Sequence, residues 1–165
     1  MAVTGQKIAP CLWFDTQAED AARFYVSVFR NSKILTISHF NKEGHEIHGR
    51  PAGMVMVAEF ELDGQRFIAL NGGPQFKFSE AISLSVSCAD QAEVDYYWER
   101  LTADGGQEGP CGWLKDKFGL SWQIVPDILP RLLKDSQSDV AQRVTRAFLR
   151  MKKLDIAGIE AAAAA

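Results

Sequence analysis

Residues 7–29, KIAPCLWFDTQAEDAARFYVSVF, and residues 82–101, ISLSVSCADQAEVDYYWERL, are two versions of one pattern. Each opens with an apolar stretch of strand length and then switches to helical spacing. In the first, Thr16-Gln17-Ala18-Glu19 has the form of a capping box, and Ala18, Ala21, Ala22, Tyr25, Val28 and Phe29 recur on one helix face. In the second, Asp90-Gln91-Ala92-Glu93 repeats the cap ahead of Val94, Tyr97, Trp98 and Leu101. Gln-Ala-Glu recurs in register, Phe24 aligns with Trp98, and Gly105-Gly106 supplies a helix stop.

The segments that follow are alike too. After the first helix come KILTISHF, GMVMVAEFEL and QRFIALN, the last two joined by Asp63-Gly64, a tight-hairpin signal. After the second come a short segment near 106–109, then CGWLKD and LSWQIV, with Lys117-Phe118-Gly119 in the turn. Each half therefore reads strand, helix, strand, strand, strand, and duplication explains the match better than chance. The expected organisation is a first βαβββ module over 7–72, a linker over 73–80, a second module over 81–126 and C-terminal helices over 127–165. In the last part PDILPRLLKD predicts a short helix. Ser136-Gln137-Ser138-Asp139 predicts a third cap, and LDIAGIEAAAAA a weaker, alanine-rich helix.

A chain of 165 residues, 47% apolar and 24% charged, is one globular domain's worth of protein, which excludes disorder and collagen-like repetition. No apolar run reaches membrane-spanning length, and MAVTGQK lacks a basic-then-apolar signal pattern. Cys11, Cys88 and Cys111 form no CxxC pair and leave one over, so reduced thiols in a cytoplasm are expected. The net charge of −3 is uneven: residues 131–153 hold seven Lys or Arg against two Asp, leaving −8 on the rest. Arg143, Arg146, Arg150 and Lys153 form a helical stripe there, but no aromatic residue is interleaved, so a solvated face is favoured over nucleic-acid binding.

Three constellations could carry chemistry. His39, His45 and His48 lie within ten residues and offer a metal site, although a solvated hairpin loop is the plainer reading. Glu59 and Glu61 share a strand face with Val55 and Val57; a carboxylate closing an apolar face can act as a base, which makes Glu59 a catalytic candidate. Trp13, Trp113 and Trp122 sit on strands beside Asn71 and Gln123, the indole-and-amide mixture of an apolar small-molecule pocket. Cys11 and Cys111 have no histidine near them in sequence and are expected to be inert. No Gly-x-Gly-x-x-Gly follows a predicted strand and no GxxxxGK[ST] occurs, so dinucleotide, S-adenosylmethionine and P-loop sites have no visible anchor.

Two tandem βαβββ modules resemble the vicinal oxygen chelate superfamily of glyoxalase I, bleomycin-resistance proteins and extradiol dioxygenases. More narrowly, PCLWFDTQAEDAARFY, GMVMVAEFELDGQRFIALNGGP, DQAEVDYYWERL, CGWLKDKFGLSWQIVP and RAFLRMKKLDIAGIEAA resemble its PhnB-like branch, often labelled 3-demethylubiquinone-9 3-methyltransferase. The resemblance implies an α+β fold, a cleft between the modules, and a homodimer. It also implies metal ligands on the first and last strand of each module. The matching positions are Pro10, Ala69 or Asn71, Ile82 or Ser83, and Gln123, of which only the amides could offer an oxygen. The expected function is therefore metal-independent binding of a small apolar or aromatic molecule, lined by Trp13, Asn71, Trp113, Trp122 and Gln123. No cofactor, membrane or nucleic-acid partner is expected. Alternatives are a metal-dependent lyase or dioxygenase using Glu59 with the His39–His48 loop, the methyltransferase activity of the label, and a dimeric interaction protein.

Overall fold

A computed structural model describes residues 6–165, and the chain divides into two units, one ending at Lys77 and one beginning at Phe78. The first unit contains β1 (Cys11–Phe14), α1 (Ala18–Val28), β2 (Lys33–His39), a single turn α2 (His45–His48), β3 (Val55–Leu62) and β4 (Gln65–Asn71). Its sheet has the order β1-β4-β3-β2, with β1 parallel to β4 and the other pairs antiparallel. Strand alternation gives the sheet two faces. Leu12, Phe14, Ala58, Phe60, Leu62, Phe67 and Ala69 are buried on the face that carries α1, whose Ala18, Ala21, Ala22, Tyr25 and Val28 are also buried. The Tyr25 and Phe67 rings stack on Phe60, 6.2 and 5.5 Å between centroids. Burying each such ring contributes roughly 2 kcal/mol. Both residues of the Asp63-Gly64 turn have positive φ, 47° and 79°, as a two-residue hairpin turn requires.

The second unit repeats the arrangement with β5 (Ser83–Cys88), α3 (Gln91–Thr102), β6 (Gln107–Glu108), β7 (Trp113–Lys115) and β8 (Ser121–Pro126), in the order β5-β8-β7-β6. Leu114, Trp122, Ile124 and Cys88 are buried on the α3 side with Val94, Trp98 and Leu101 of the helix. Three further helices follow: α4 (Ile128–Leu132), α5 (Asp139–Phe148) and α6 (Ile156–Ala164). Leu129, Val144, Leu154 and Ile159 form their common core, against which Val125 of β8 also packs. No helix among the described residues is long and apolar enough to cross a membrane.

The two-sheet α+β architecture and its element order follow the sequence pattern, but the caps are redistributed. Asp90 caps α3 as expected, accepting from Glu93 N–H at 2.9 Å, while the Glu93 carboxylate accepts from Ala89 N–H at 2.8 Å. The expected Thr16 cap of α1 is absent: the Ala18 N–H donates instead to Asn71 Oδ1, 2.8 Å away at the end of β4. Ser138, not Ser136, caps α5, accepting from Ala141 N–H at 3.1 Å. In the basic stripe, Arg143 donates to the Ala162 and Ala163 carbonyls at the end of α6 (3.0 and 2.9 Å) and Lys153 pairs with Asp95 at 2.6 Å. Two of its four cations thus have structural duties.

Candidate functional site

In each unit one sheet face is turned away from the helix between its first two strands, and the side chains there follow from register. In the second unit Ser85, Gln123 and Trp113 stand side by side across β5, β8 and β7. The next row is Ser83, Ser121, Lys115 and Gln107. Val125, on the same face, is covered by the C-terminal helices. Of these rows Trp113, Ser121, Lys115 and Gln107 border a concavity of about 520 Å³, with Pro110 and Glu80 among its other lining residues, whereas Ser83, Ser85 and Gln123 are not part of its lining. Gln123 Nε2 donates to Ser83 Oγ at 2.9 Å. Lys115 Nζ holds Glu80 Oε1 at 2.5 Å, and hydrogen bonding from Lys115 keeps the Glu80 carboxyl below its ordinary range. Ser121, 1% exposed, has the only buried side-chain oxygen or nitrogen among the described residues without a hydrogen-bond partner.

The corresponding face of the first unit carries Cys11, Trp13, Ile68, Leu70, Val57 and Glu59. Trp13 is closed over by its own unit. Its indole N–H donates to the Gly73 carbonyl at 2.8 Å, and Phe76 meets its ring edge-on at 4.9 Å. A Cβ at Gly72 would lie 2.3 Å from the Trp13 ring, so only glycine allows this approach. Glu59 Oε2 accepts from Arg66 Nε and an Arg66 terminal nitrogen at 3.1 and 2.7 Å, which commits the carboxylate to an ion pair rather than presenting a free base.

The five candidate lining residues are thus divided. Trp13, Trp113 and Gln123 lie on the faces opposite the helices. Asn71 and Trp122 turn the other way, under α1 and α3. Asn71 spends both ends of its amide inside its unit, on Ala18 N–H and on the Val55 carbonyl at 3.0 Å. The Trp122 indole donates to Asp116 Oδ2 at 2.8 Å. Ala69, matched by resemblance to a metal-ligand position, is likewise buried on the α1 side, and β4 presents Ile68 and Leu70 on the other face. Lys115, Gln107 and Ser121 were not singled out by sequence. Their signal is parity, since Lys115 and Ser121 stand two residues from Trp113 and Gln123.

The three histidines do not converge. His39 ends β2, whereas His45 and His48 fall in the helical turn α2, where no helix was expected. His48 Nδ1 accepts from Arg50 N–H at 2.9 Å and its Nε2 lies 3.2 Å from the Glu43 carbonyl, so the loop uses both ring nitrogens. Among the described residues no three His, Cys, Asp or Glu side chains come together in a way that could hold a metal ion.

The thiols are graded: Cys11 is exposed, Cys111 half-buried and Cys88 buried. Burial, reinforced by the nearby carboxylates of Glu93, Asp127 and Asp90, pushes the Cys88 thiol up to about 12. At about pH 8 roughly one Cys88 in ten thousand is then a thiolate. Peptide mapping after maleimide treatment is expected to find Cys11 modified in the native protein and Cys88 only after unfolding. Modification of the two at equal rates contradicts this.

A family model described as 3-demethylubiquinone-9 3-methyltransferase matches residues 6–125, leaving the C-terminal helices outside the match. Among solved structures, the chain is similar to the PhnB protein of Bacillus cereus, with 34% identity over 73% of this chain and 99% of that one and a TM-score of 0.63. Protein PA1353 of Pseudomonas aeruginosa is 18% identical over 74% of this chain and 98% of its own, with a TM-score of 0.59. The fosfomycin resistance protein FosX of Listeria monocytogenes, in a complex with Mn(II) and sulfate, is 15% identical over 82% and 99%, with a TM-score of 0.55. The last two likenesses show the fold alone. No curated protein matches the chain.

Proposed function

We propose that this chain, which belongs to the 3-demethylubiquinone-9 3-methyltransferase family in the PhnB-like branch of the vicinal oxygen chelate superfamily, binds a small apolar or aromatic molecule without a metal. The observation that carries the reading is the concavity of about 520 Å³ in the second unit, with Trp113 on its wall and Ser121, whose buried hydroxyl has no partner, among its lining residues. Its size is that of a small-molecule site, and an apolar wall with a few polar groups is the usual composition of one. The residues at the superfamily's ligand positions do not fit a divalent metal. Pro10, Ala69 and Ile82 offer no side-chain donor, the Asn71 amide is committed to Ala18 and Val55, and the Ser83 hydroxyl and Gln123 amide are bonded to each other, with no imidazole or carboxylate. The family description names a methyl transfer, and no feature of either unit favours that over binding. The proposal includes the homodimer of the resemblance and a reducing compartment, which the three free cysteines support.

Tryptophan fluorescence titrated with a panel of neutral, cationic and anionic aromatic compounds tests this. At least one compound is expected to give a saturable response, and W113A to weaken it about tenfold through loss of ring contact. Silence from the whole panel removes the binding reading. A stoichiometric divalent ion in protein purified without a histidine tag removes its metal-free part.

A further inference from the structure

We infer that the ligand of the second-unit concavity carries a carboxylate, received jointly by Lys115 Nζ and Ser121 Oγ, with its aromatic body against Trp113. This rests on the binding reading above and narrows it to a class of ligand. A buried hydroxyl with no partner costs free energy, so its persistence in a concavity needs a reason. Ser121 is such a group on the lining; its Oγ is closed off from solvent as placed, and turning the side chain toward the concavity would let it donate one hydrogen bond to an incoming oxygen. Lys115 is its register partner on β7, so the two side chains leave the same face as direct cross-strand neighbours. An oxygen bonded to Ser121 therefore lies within reach of the ammonium.

Lys115 already grips a carboxylate at this place. Glu80 Oε1 sits 2.5 Å from Nζ, but the Glu80 side chain is 65% exposed. So exposed an ion pair is worth little, and a ligand carboxylate can take the ammonium while Glu80 swings into water. The same geometry limits the ligand's charge. Lys115 is the only cation among the lining residues, and Glu108 is already engaged by the Trp98 indole at 2.8 Å with Lys152 Nζ 3.8 Å away, so once Glu80 turns to water one ligand carboxylate matches the one released ammonium. Trp113 and Pro110 supply the apolar wall for a ring. The class is an aromatic monocarboxylate.

Calorimetric titration of the full chain with 2-naphthoate and with 2-naphthamide reads this directly. The acid is expected to bind about tenfold or more tightly than the isosteric amide, since it gains a charge-assisted hydrogen bond. K115M should erase that preference, and E80Q should strengthen acid binding several-fold by releasing the ammonium. S121A should weaken acid binding about tenfold while leaving the protein as stable as before, because it removes an unpaired buried group. Equal binding of acid and amide, or a preference that survives K115M, overturns the inference. Unchanged affinity in S121A removes Ser121 from it. If both naphthalenes are silent while other members of the panel bind, the carboxylate class fails and the binding reading stands. Silence from every compound ends both.

Discussion

D116A is expected to destabilise the second unit by about 4 kcal/mol, a large share of the stability a domain of this size has. Asp116 is 3% exposed and sits at the end of β7, where its carboxylate gathers three donors. Oδ1 accepts from the backbone N–H of Phe118 at 2.8 Å and of Leu120 at 3.1 Å, and Oδ2 from the Trp122 indole at 2.8 Å. The first two bonds fold the turn that lays β8 beside β7, and the third locks the largest side chain on the α3 face. Removing the carboxylate leaves Leu120 N–H and the indole N–H desolvated among residues only 2% exposed, at about 1–3 kcal/mol for each orphaned donor. D116N is expected to cost about half as much, because an amide oxygen can keep the two backbone donors while its NH2 opposes the indole. W122F combined with D116N should show a coupling of about 1–2 kcal/mol, the signature of groups that touch. Urea denaturation followed by circular dichroism measures all three. If D116A and D116N both stay within about 1 kcal/mol of the parent, the carboxylate is not the organiser of this turn.

Asp116 also illustrates which parts of the molecule are legible in sequence. Strand alternation and helical spacing depend on neighbours a few residues apart, so the two strand-helix-strand-strand-strand halves follow directly from residues 7–29 and 82–101 and their tails. Asp63-Gly64 fixes a hairpin and thereby the register that sets Glu61 opposite Arg66, within diagonal reach of Glu59, which takes the guanidinium while Glu61 pairs with Lys33. The histidine loop carries a local signal of its own: Gly49 closes a one-turn helix that starts after Gly44 in an otherwise exposed loop. Indoles and amides are harder, because the same side chain can line a pocket or hold a frame together. Trp122 and Asn71 have the chemistry of ligand contacts, but their hydrogen bonds are made within the frame, and one partner of Asn71 lies 53 residues away. Lys115 and Ser121 of the concavity needed only strand parity and the short turn between β7 and β8, both present in CGWLKDKFGLSWQIV.

The Asn71 amide gives the second large effect, and the duplication explains why it exists. By register Asn71 ends β4 opposite Phe14, and in the second unit the equivalent place, opposite Cys88, is Pro126. There α3 starts on its own Asp90, so the strand end owes it nothing. In the first unit Gln17 precedes α1 without a side-chain cap, and Asn71 serves from the neighbouring strand. Oδ1 takes the Ala18 N–H, and Nδ2 ties the Val55 carbonyl at the start of β3, so one 1%-exposed amide joins α1, β4 and β3. N71A therefore removes a helix cap and orphans two backbone groups, at an expected cost of about 3 kcal/mol. N71D keeps the acceptor for Ala18 but loses the donor to Val55 and buries a charge. It should be at least as destabilising as N71A near neutral pH, unlike an aspartate at an exposed cap. Hydrogen exchange gives the local readout: in N71A the first turn of α1 and the start of β3 should lose protection, while α3 and β8 keep theirs. Loss of protection in α3 as well, or a cost below about 1 kcal/mol, removes Asn71 as the link. If the frame reading holds, N71A at a temperature where the protein stays folded leaves ligand affinity in the second unit unchanged; a tenfold loss returns Asn71 to the binding surface.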